Sequence, residues 1–210
     1  KTFQPPRFVS RLACPALFCI SAGLFSPVQA AAPVAAGFEA LQAADGTDKP
    51  LEVSLWYPTE AAAQQVTLGP FTLDIARGAA VAGRGLPLIV MSHGNGGSSL
   101  GHHDTAIALA QAGYVVAAVS HTGDNHADQS KEASVMDRPR HVSRVIDHLL
   151  TQWHGRDHID PARVGVFGFS SGAFTALTVV GGAFDLGRIA AHCQQHPDHY
   201  ACQLISRRPA

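Results

Sequence analysis

Three apolar runs, each ending in turn residues, constrain the fold of this chain more than any other feature. They are LPLIVMSHG (86–94), YVVAAVS (114–120) and RVGVFGF (163–169). Runs of this kind are typical of strands buried on both faces of a sheet. Apolar residues recur at helical spacing in the segments between and after them, over 104–113, 137–150 and 171–180. This alternation predicts an α/β fold with a mostly parallel sheet covered by helices on both faces.

A further strand is predicted over residues 51–59, where apolar and polar residues alternate as in a half-buried strand. The chain has 210 residues and a formal net charge of -1, which fits one globular domain with a buried core. Its 15 Lys and Arg residues are balanced by 16 Asp and Glu residues, and no stretch is rich in Lys and Arg. We therefore expect no nucleic-acid partner.

The segment GVFGFSSGAF joins the last of these strands to the helix after it. A serine on a sharp strand-to-helix turn has a strained backbone and needs small residues two positions before and after it. Gly168 and Gly172 occupy those positions around Ser170, whereas Phe169 would obstruct the turn if Ser171 were central. Ser170 is therefore the candidate nucleophile, and the backbone N–H of Ser171 is a candidate donor to an oxyanion. The alternative is a Gly/Ser turn that merely connects strand and helix.

A second glycine-rich segment, SHGNGGSS (92–99), follows the first of the three apolar runs. Glycines let the backbone turn sharply and present N–H groups to an anionic oxygen, and such enzymes draw their second oxyanion donor from this loop. The backbone N–H of Asn95 is the candidate donor. A phosphate-binding loop is the alternative, but the Lys-Ser/Thr ending and a G-x-G-x-x-G pattern are both absent.

Four segments resemble, in this order, a known family: PLIVMSHGNGGSS, AQAGYVVAAVSHTGDN, MDRPRHVSRVIDHLL and RVGVFGFSSGAFTAL. They are similar to the α/β-hydrolases grouped as predicted dienelactone hydrolases and platelet-activating-factor acetylhydrolase-like esterases. The resemblance covers about residues 37–205, and it implies a secreted serine hydrolase that cleaves carboxylic esters through an acyl-enzyme. Ser170 would be the nucleophile, and the N–H groups of Asn95 and Ser171 would form the oxyanion hole. Dienelactone hydrolases proper use a cysteine nucleophile, so Ser170 argues against their substrate. The expected substrate is a small-molecule or lipid-like ester.

A serine nucleophile needs an imidazole to accept its proton and a carboxylate to orient that imidazole, and in this fold both follow the serine. The residues after Ser170 include Asp185, His192, His196, Asp198 and His199. No buried strand is predicted there to hold them, and YACQLIS is the nearest approach to one. We expect a solvated polar segment, with the acid and base of the triad beyond residue 210. Residues 31–210 would then be the N-terminal part of a single hydrolase domain, truncated after the nucleophile strand and helix and inactive alone. The alternative is a non-catalytic member that uses the fold for binding.

The remaining histidines invite other assignments. His93 is interpreted as a packing and hydrogen-bonding residue beside the oxyanion loop. Six residues could meet at the top of the sheet and bind a metal, namely His102, His103, Asp104, His121, Asp124 and His126. None of them shows the i, i+4 helical pairing of a metallohydrolase, and we expect no metal and no cofactor. Four more are expected to be solvated, on a helix and at its exit: His141, His148, His154 and His158.

The first thirty residues have the pattern of a secretory signal peptide. Basic residues precede a short apolar run, and Val28 and Ala30 occupy the small-residue positions of a cleavage site. An anchored N-terminal helix is the alternative; after cleavage no stable membrane span is expected. Export to the periplasm or the medium would remove Cys14 and Cys19 and favour a disulfide between Cys193 and Cys202. Two buried thiols, or zinc with the neighbouring histidines, remain as alternatives for this pair.

Overall fold

The computed structural model describes residues 34–132 and 135–206 of the chain. The strands in this part are β1 (Ala35–Asp45), β2 (Asp48–Thr59), β3 (Gln64–Leu68), β4 (Phe71–Arg77), β5 (Leu86–Ser92), β6 (Val115–Ser120) and β7 (Ile159–Gly168). The helices are α1 (His103–Gln111), α2 (Arg138–Thr151), α3 (Ser171–Val179), α4 (Leu186–Gln195) and α5 (Tyr200–Ser206). Short 3-10 turns precede α2 and β7, at Val135–Asp137 and Arg156–His158. The predicted signal peptide lies outside the described residues.

The described strands form one sheet in the order β3-β4-β1-β2-β6-β5-β7. The three apolar runs become β5, β6 and β7, and β5 pairs in parallel with both of the others. The carboxyl ends of these strands therefore lie along one edge of the sheet. The preceding part of the sheet is largely antiparallel, because β1 pairs with β2, β2 with β6, and β3 with β4 in that sense. The predicted α/β architecture is confirmed, with a mixed sheet.

Helices cover both faces of the sheet, as the alternation of elements predicts. On one face Ala106 and Ala110 of α1 pack with Met91 and Val116. On the other face the apolar side of α2 packs against the sheet, and α3 adjoins it. Residues of β2 enter both cores alternately: Leu55 faces α2, and Trp56 faces α1. Both are fully buried, so the prediction of a half-buried strand at 51–59 is wrong, because β2 lies inside the sheet rather than at its edge.

The segment after α3 forms two short helices, α4 and α5, where the sequence predicts a solvated polar stretch. YACQLIS is the whole of α5 and not a strand. A disulfide joins Cys193 of α4 to Cys202 of α5, so that prediction agrees with the structure. Most of the segment is exposed, as expected. Among the described helices, none has both the length and the apolar character needed to cross a membrane.

Candidate active site

Ser170 lies on a sharp turn between the end of β7 and the start of α3. Its backbone has φ 53° and ψ -120°, and among the described residues it is the one non-glycine residue with a positive φ. A side chain in this region of conformational space strains the backbone, and such strain concentrates at functional sites. Ser170 is exposed at the edge where the parallel strands end. The geometry is that of a nucleophile elbow.

The glycines on either side of Ser170 are required by close backbone packing. A Cβ on Gly168 would overlap the carbonyl oxygen of Gly172, and a Cβ on Gly172 would overlap the carbonyl oxygen of Ser92. The same Ser92 carbonyl accepts a hydrogen bond of 3.2 Å from the N–H of Phe169. The elbow is therefore packed directly against the end of β5, where no side chain fits between them.

The loop after β5, residues 93–97, lies next to the elbow. A Cβ built on Gly94 would lie 3.3 Å from the Cβ of Ser170, so the two backbones are neighbours. Ser171 is the first residue of α3, where the N–H has no partner within the helix. Within the described part of the chain, the N–H groups of Asn95 and Ser171 donate no hydrogen bond. The role of both groups as oxyanion donors stays a prediction.

A buried ion pair lies behind this loop. The guanidinium of Arg138, 1% exposed, contacts Asp124 at 2.6 Å and donates to the carbonyl oxygens of His93 (2.6 Å) and Gly94 (3.3 Å). The other carboxylate oxygen of Asp124 accepts from the N–H of Gly96 at 2.9 Å. Sequence reasoning considered Asp124 only as a metal ligand and assigned no role to Arg138. The sequence Asp137-Arg138-Pro139 predicts the start of α2, but it does not indicate which groups Arg138 contacts.

Buried histidines continue this polar cluster beneath the strand ends. Ser92 Oγ lies 2.8 Å from Nε2 of His121, and Nδ1 of His121 lies 3.1 Å from Nδ1 of His141. Nε2 of His141 faces Asp45 Oδ2 at 3.3 Å. The expectation that His141 is solvated is wrong: it is 2% exposed, because it lies on the same face of α2 as Val142 and Val145. The other three histidines of that group are half-buried or exposed.

Burial disfavours the charged form of the histidines in this cluster. It lowers the pKa of His93 from 6.5 to about 4, and the positive charge of Arg138 acts in the same direction. Burial also lowers the pKa of His121 well below its ordinary value and, to a lesser degree, the pKa of His141. The backbone N–H of His121 donates to Nε2 of His93, so the His93 proton is on Nδ1, which donates to the Gly94 carbonyl at 2.6 Å. His93 therefore hydrogen-bonds and packs beside the loop.

A cavity of about 710 Å³ opens beside Ser170 and is lined mainly by apolar side chains. Phe174 and Phe184 stack in its wall with ring centroids 4.0 Å apart, and Ile189 and Ile205 also line it. Cys193 and Cys202, which form the disulfide between α4 and α5, also line the cavity. Such a lining suits a ligand with an apolar part.

The structure brings one of the histidines after the elbow to this cavity and not the others. His192 lines it together with Ser170, whereas His196 and His199 stack on each other outside its lining. Across the described residues, no imidazole is hydrogen-bonded to the Ser170 hydroxyl. Asp185 accepts from the N–H of Arg188 and begins α4. In the same part of the chain, no group of three or more His, Cys, Asp or Glu side chains could hold a metal ion.

Comparison with known proteins agrees with this fold. The chain has the α/β-hydrolase fold. Residues 44–141 match the family described as platelet-activating factor acetylhydrolase, isoform II. The matched range includes the glycine-rich loop and the Asp124–Arg138 pair, and it ends before the elbow. The resemblance stated from the sequence is confirmed. A search of curated proteins found no match.

Solved structures of esterases and related hydrolases are similar to the chain. A ferulic acid esterase from Streptomyces cinnamoneus is 26% identical with a TM-score of 0.58; the match covers 70% of this chain and 55% of that one. A dienelactone hydrolase-like promiscuous phosphotriesterase from metagenomic libraries is 17% identical with a TM-score of 0.48, covering 69% and 54%. An acetyl xylan esterase from Paenibacillus sp. R4 is 14% identical with a TM-score of 0.40, covering 84% and 67%. The chain thus spans just over half the length of the first two structures.

Proposed function

We propose that this protein is a serine hydrolase that cleaves carboxylic esters through an acyl-enzyme. The observation that carries the proposal is the strained backbone of Ser170 on the turn between β7 and α3. Strain of this kind persists only where the surrounding structure enforces it, and here it exposes a hydroxyl at the end of a parallel strand. The similarity to a ferulic acid esterase supports an ester as the substrate.

In the proposed reaction, Ser170 Oγ attacks the ester carbonyl carbon and transfers its proton to a base. The carbonyl oxygen becomes an anion, which the N–H groups of Asn95 and Ser171 bind. Collapse of this intermediate expels the alcohol, which takes up the proton, and leaves an acyl group on Ser170. Water then attacks the acyl-enzyme by the same route and releases the acid. The apolar cavity beside Ser170 favours an ester with an apolar acyl or alcohol group, including a lipid-like one.

We further propose that the acid and base of the triad lie beyond residue 210, so that residues 31–210 alone lack esterase activity. The support is that no described imidazole bonds to Ser170, together with the limited share of the similar structures that the chain covers. Expression of residues 31–210 and assay with a short-chain p-nitrophenyl ester tests this proposal. Ordinary esterase turnover by that segment would contradict it. Loss of that turnover on His192→Ala would then identify the base.

A fluorophosphonate probe tests the main proposal in the full-length protein. We expect it to label Ser170, and Ser170→Ala to lose esterase activity by a factor on the order of a thousand or more. Ser171→Ala is the matched control, because Ser171 contributes only its backbone N–H and should retain most of the activity. Equal labelling of the Ser170→Ala variant would assign the nucleophile to another residue. A folded protein that is neither labelled nor active would favour the non-catalytic alternative.

We also propose that the protein is exported and that residues 1–30 are removed. The disulfide between Cys193 and Cys202 supports an oxidising compartment. N-terminal sequencing of protein recovered from the periplasm or the medium should start at Ala31. Recovered protein that still carries the segment before Val28 would contradict cleavage after Ala30.

A further inference from the structure

The Asp124–Arg138 pair contacts the backbone of the loop after β5 at three residues, 93, 94 and 96. Arg138 donates to the carbonyls of His93 and Gly94, and Asp124 accepts from the N–H of Gly96. We propose that this pair positions the N–H of Asn95 for transition-state stabilisation. The inference rests on the proposed serine hydrolase function and adds two positioning residues to it.

The geometry of the peptide bond connects Arg138 to Asn95. The carbonyl of Gly94 and the N–H of Asn95 belong to one planar trans peptide unit, in which the two groups point in opposite directions. A donor that holds the Gly94 carbonyl therefore also directs the Asn95 N–H away from itself. Three donors hold this carbonyl: Nη2 of Arg138 at 3.3 Å, Nδ1 of His93 at 2.6 Å and the backbone N–H of Gly97 at 3.1 Å. Of these three, the Arg138 guanidinium is the one that is charged and that also binds the preceding carbonyl, of His93. The positive charge on Arg138 also polarises that peptide, which makes its N–H a stronger donor.

The arrangement needs a guanidinium and not a simple cation. Arg138 uses Nε and Nη2 on one carboxylate oxygen of Asp124, at 3.1 and 2.6 Å, while Nη1 and Nη2 reach the two carbonyls. A lysine has one nitrogen on a flexible stem and cannot keep all these contacts in fixed directions. The pair is nearly inaccessible to solvent, with side chains 1% and 4% exposed, and burying two charges costs free energy that hydrophobic packing would avoid. The buried guanidinium supplies hydrogen bonds to the loop carbonyls, and this explains why the protein retains the pair despite its cost.

Arg138→Lys in the full-length protein is the main test, with Arg140→Lys as the matched control. Arg140 is also on α2 and pairs with the buried Asp45, yet it does not contact the loop. Loss of one oxyanion donor lowers kcat by roughly a hundredfold to a thousandfold, and we expect misalignment from Arg138→Lys to lower kcat by about tenfold to a hundredfold. KM should change by less than about threefold, since the ground-state ester does not carry the negative charge. Asp124→Asn, which leaves the shape unchanged, should act in the same direction.

Affinity for a trifluoromethyl ketone separates positioning from folding. This inhibitor forms an oxyanion on Ser170, so its inhibition constant should rise in Arg138→Lys by the same factor as kcat falls. The value of kcat is calculated per folded molecule, and the folded fraction is measured by thermal unfolding. Equal kcat and inhibitor affinity in Arg138→Lys and Arg140→Lys would overturn the inference. Failure of both loop variants to fold, when Arg140→Lys folds, would also overturn it, because the pair would then serve the fold. Retained activity in Ser170→Ala would instead refute the proposed function itself.

Discussion

Two regions on either side of Ser170 are built in different ways. In the strand-end region, formed by the loop after β5, the elbow and the buried polar groups behind them, side chains join residues far apart in sequence. Arg138 to His93 spans 45 positions, and Ser92 to His121 spans 29. In the C-terminal hairpin, formed by α4 and α5, the side-chain hydrogen bonds found join residues no more than seven positions apart. The disulfide there spans nine.

This difference shows that the strand-end region is the part of the candidate site whose geometry is fixed by contacts from the whole fold. A catalytic backbone must be fixed to a fraction of an ångström, and packing from several elements supplies that rigidity. The hairpin lines the cavity and has few buried residues, so its stability depends on local bonds and on the disulfide. Changes in the strand-end region should therefore affect folding and chemistry, and changes in the hairpin should affect binding.

The largest effect should come from Gly172→Ala, at the centre of the strand-end region. The added Cβ would overlap the Ser92 carbonyl, and neither backbone can move without breaking the contact between β5 and the elbow. We expect a loss of about 4 kcal/mol or more in the free energy of unfolding, or no folded protein. Urea unfolding measures it.

Gly165→Ala is the control for Gly172→Ala. It lies in β7, where the nearest atoms to an added Cβ are 4.0 Å away, at ordinary contact distance. Its free energy of unfolding should change by less than about 1 kcal/mol. Equal stability of the two variants would show that the elbow is not tightly packed.

Low pH should weaken the strand-end region more than the hairpin. Burial lowers the pKa of His93 to about 4, so between pH 6.5 and 4 the unfolded chain binds a proton that the folded chain does not. This contribution to stability is therefore complete only well above pH 6.5 and decreases as the pH falls, by about 1 kcal/mol for His93 from pH 7 to 5.5. His121 and His141, whose pKa values are also lowered, add to the loss.

Free energies of unfolding measured by urea at pH 7 and 5.5 check this pH dependence. His192→Ala should show the same dependence as the unchanged protein, because the His192 side chain is exposed in the hairpin. A free energy that does not change between these two pH values would mean that the buried histidines already carry protons in the folded state.

Sequence reasoning predicted the parallel strands well because each is a continuous apolar run with turn residues at its end. It missed β1, β3 and β4. β1 is rich in alanine, which has a low strand propensity, and β3 and β4 are short. Their strand state depends on pairing with β2 and with each other. Ser170 and its glycines were predicted from a local backbone requirement that a short motif records, and the positive φ of Ser170 agrees with the predicted turn. The Asp124–Arg138 pair was not, because charged residues 14 positions apart give no local signal of burial. The position of His141 could have been found, since it precedes Val145 by one helical turn.

The smallest effect on global stability should come from removing the disulfide in the hairpin. Closing a loop of nine positions contributes roughly 2 to 3 kcal/mol, but this stabilises only the segment that the loop encloses. A variant carrying Cys193→Ala and Cys202→Ala should therefore unfold at nearly the same urea concentration, while amide hydrogen exchange speeds up over 186–206. Because α4 and α5 line the cavity beside Ser170, KM for an ester with a bulky apolar group should rise by several-fold with little change in kcat. The acetate ester of the same alcohol is the control substrate, and its KM should change less if the acyl group occupies the cavity. A fall in kcat equal to that of Arg138→Lys would mean that the hairpin, and not only the strand-end region, aligns the reacting groups.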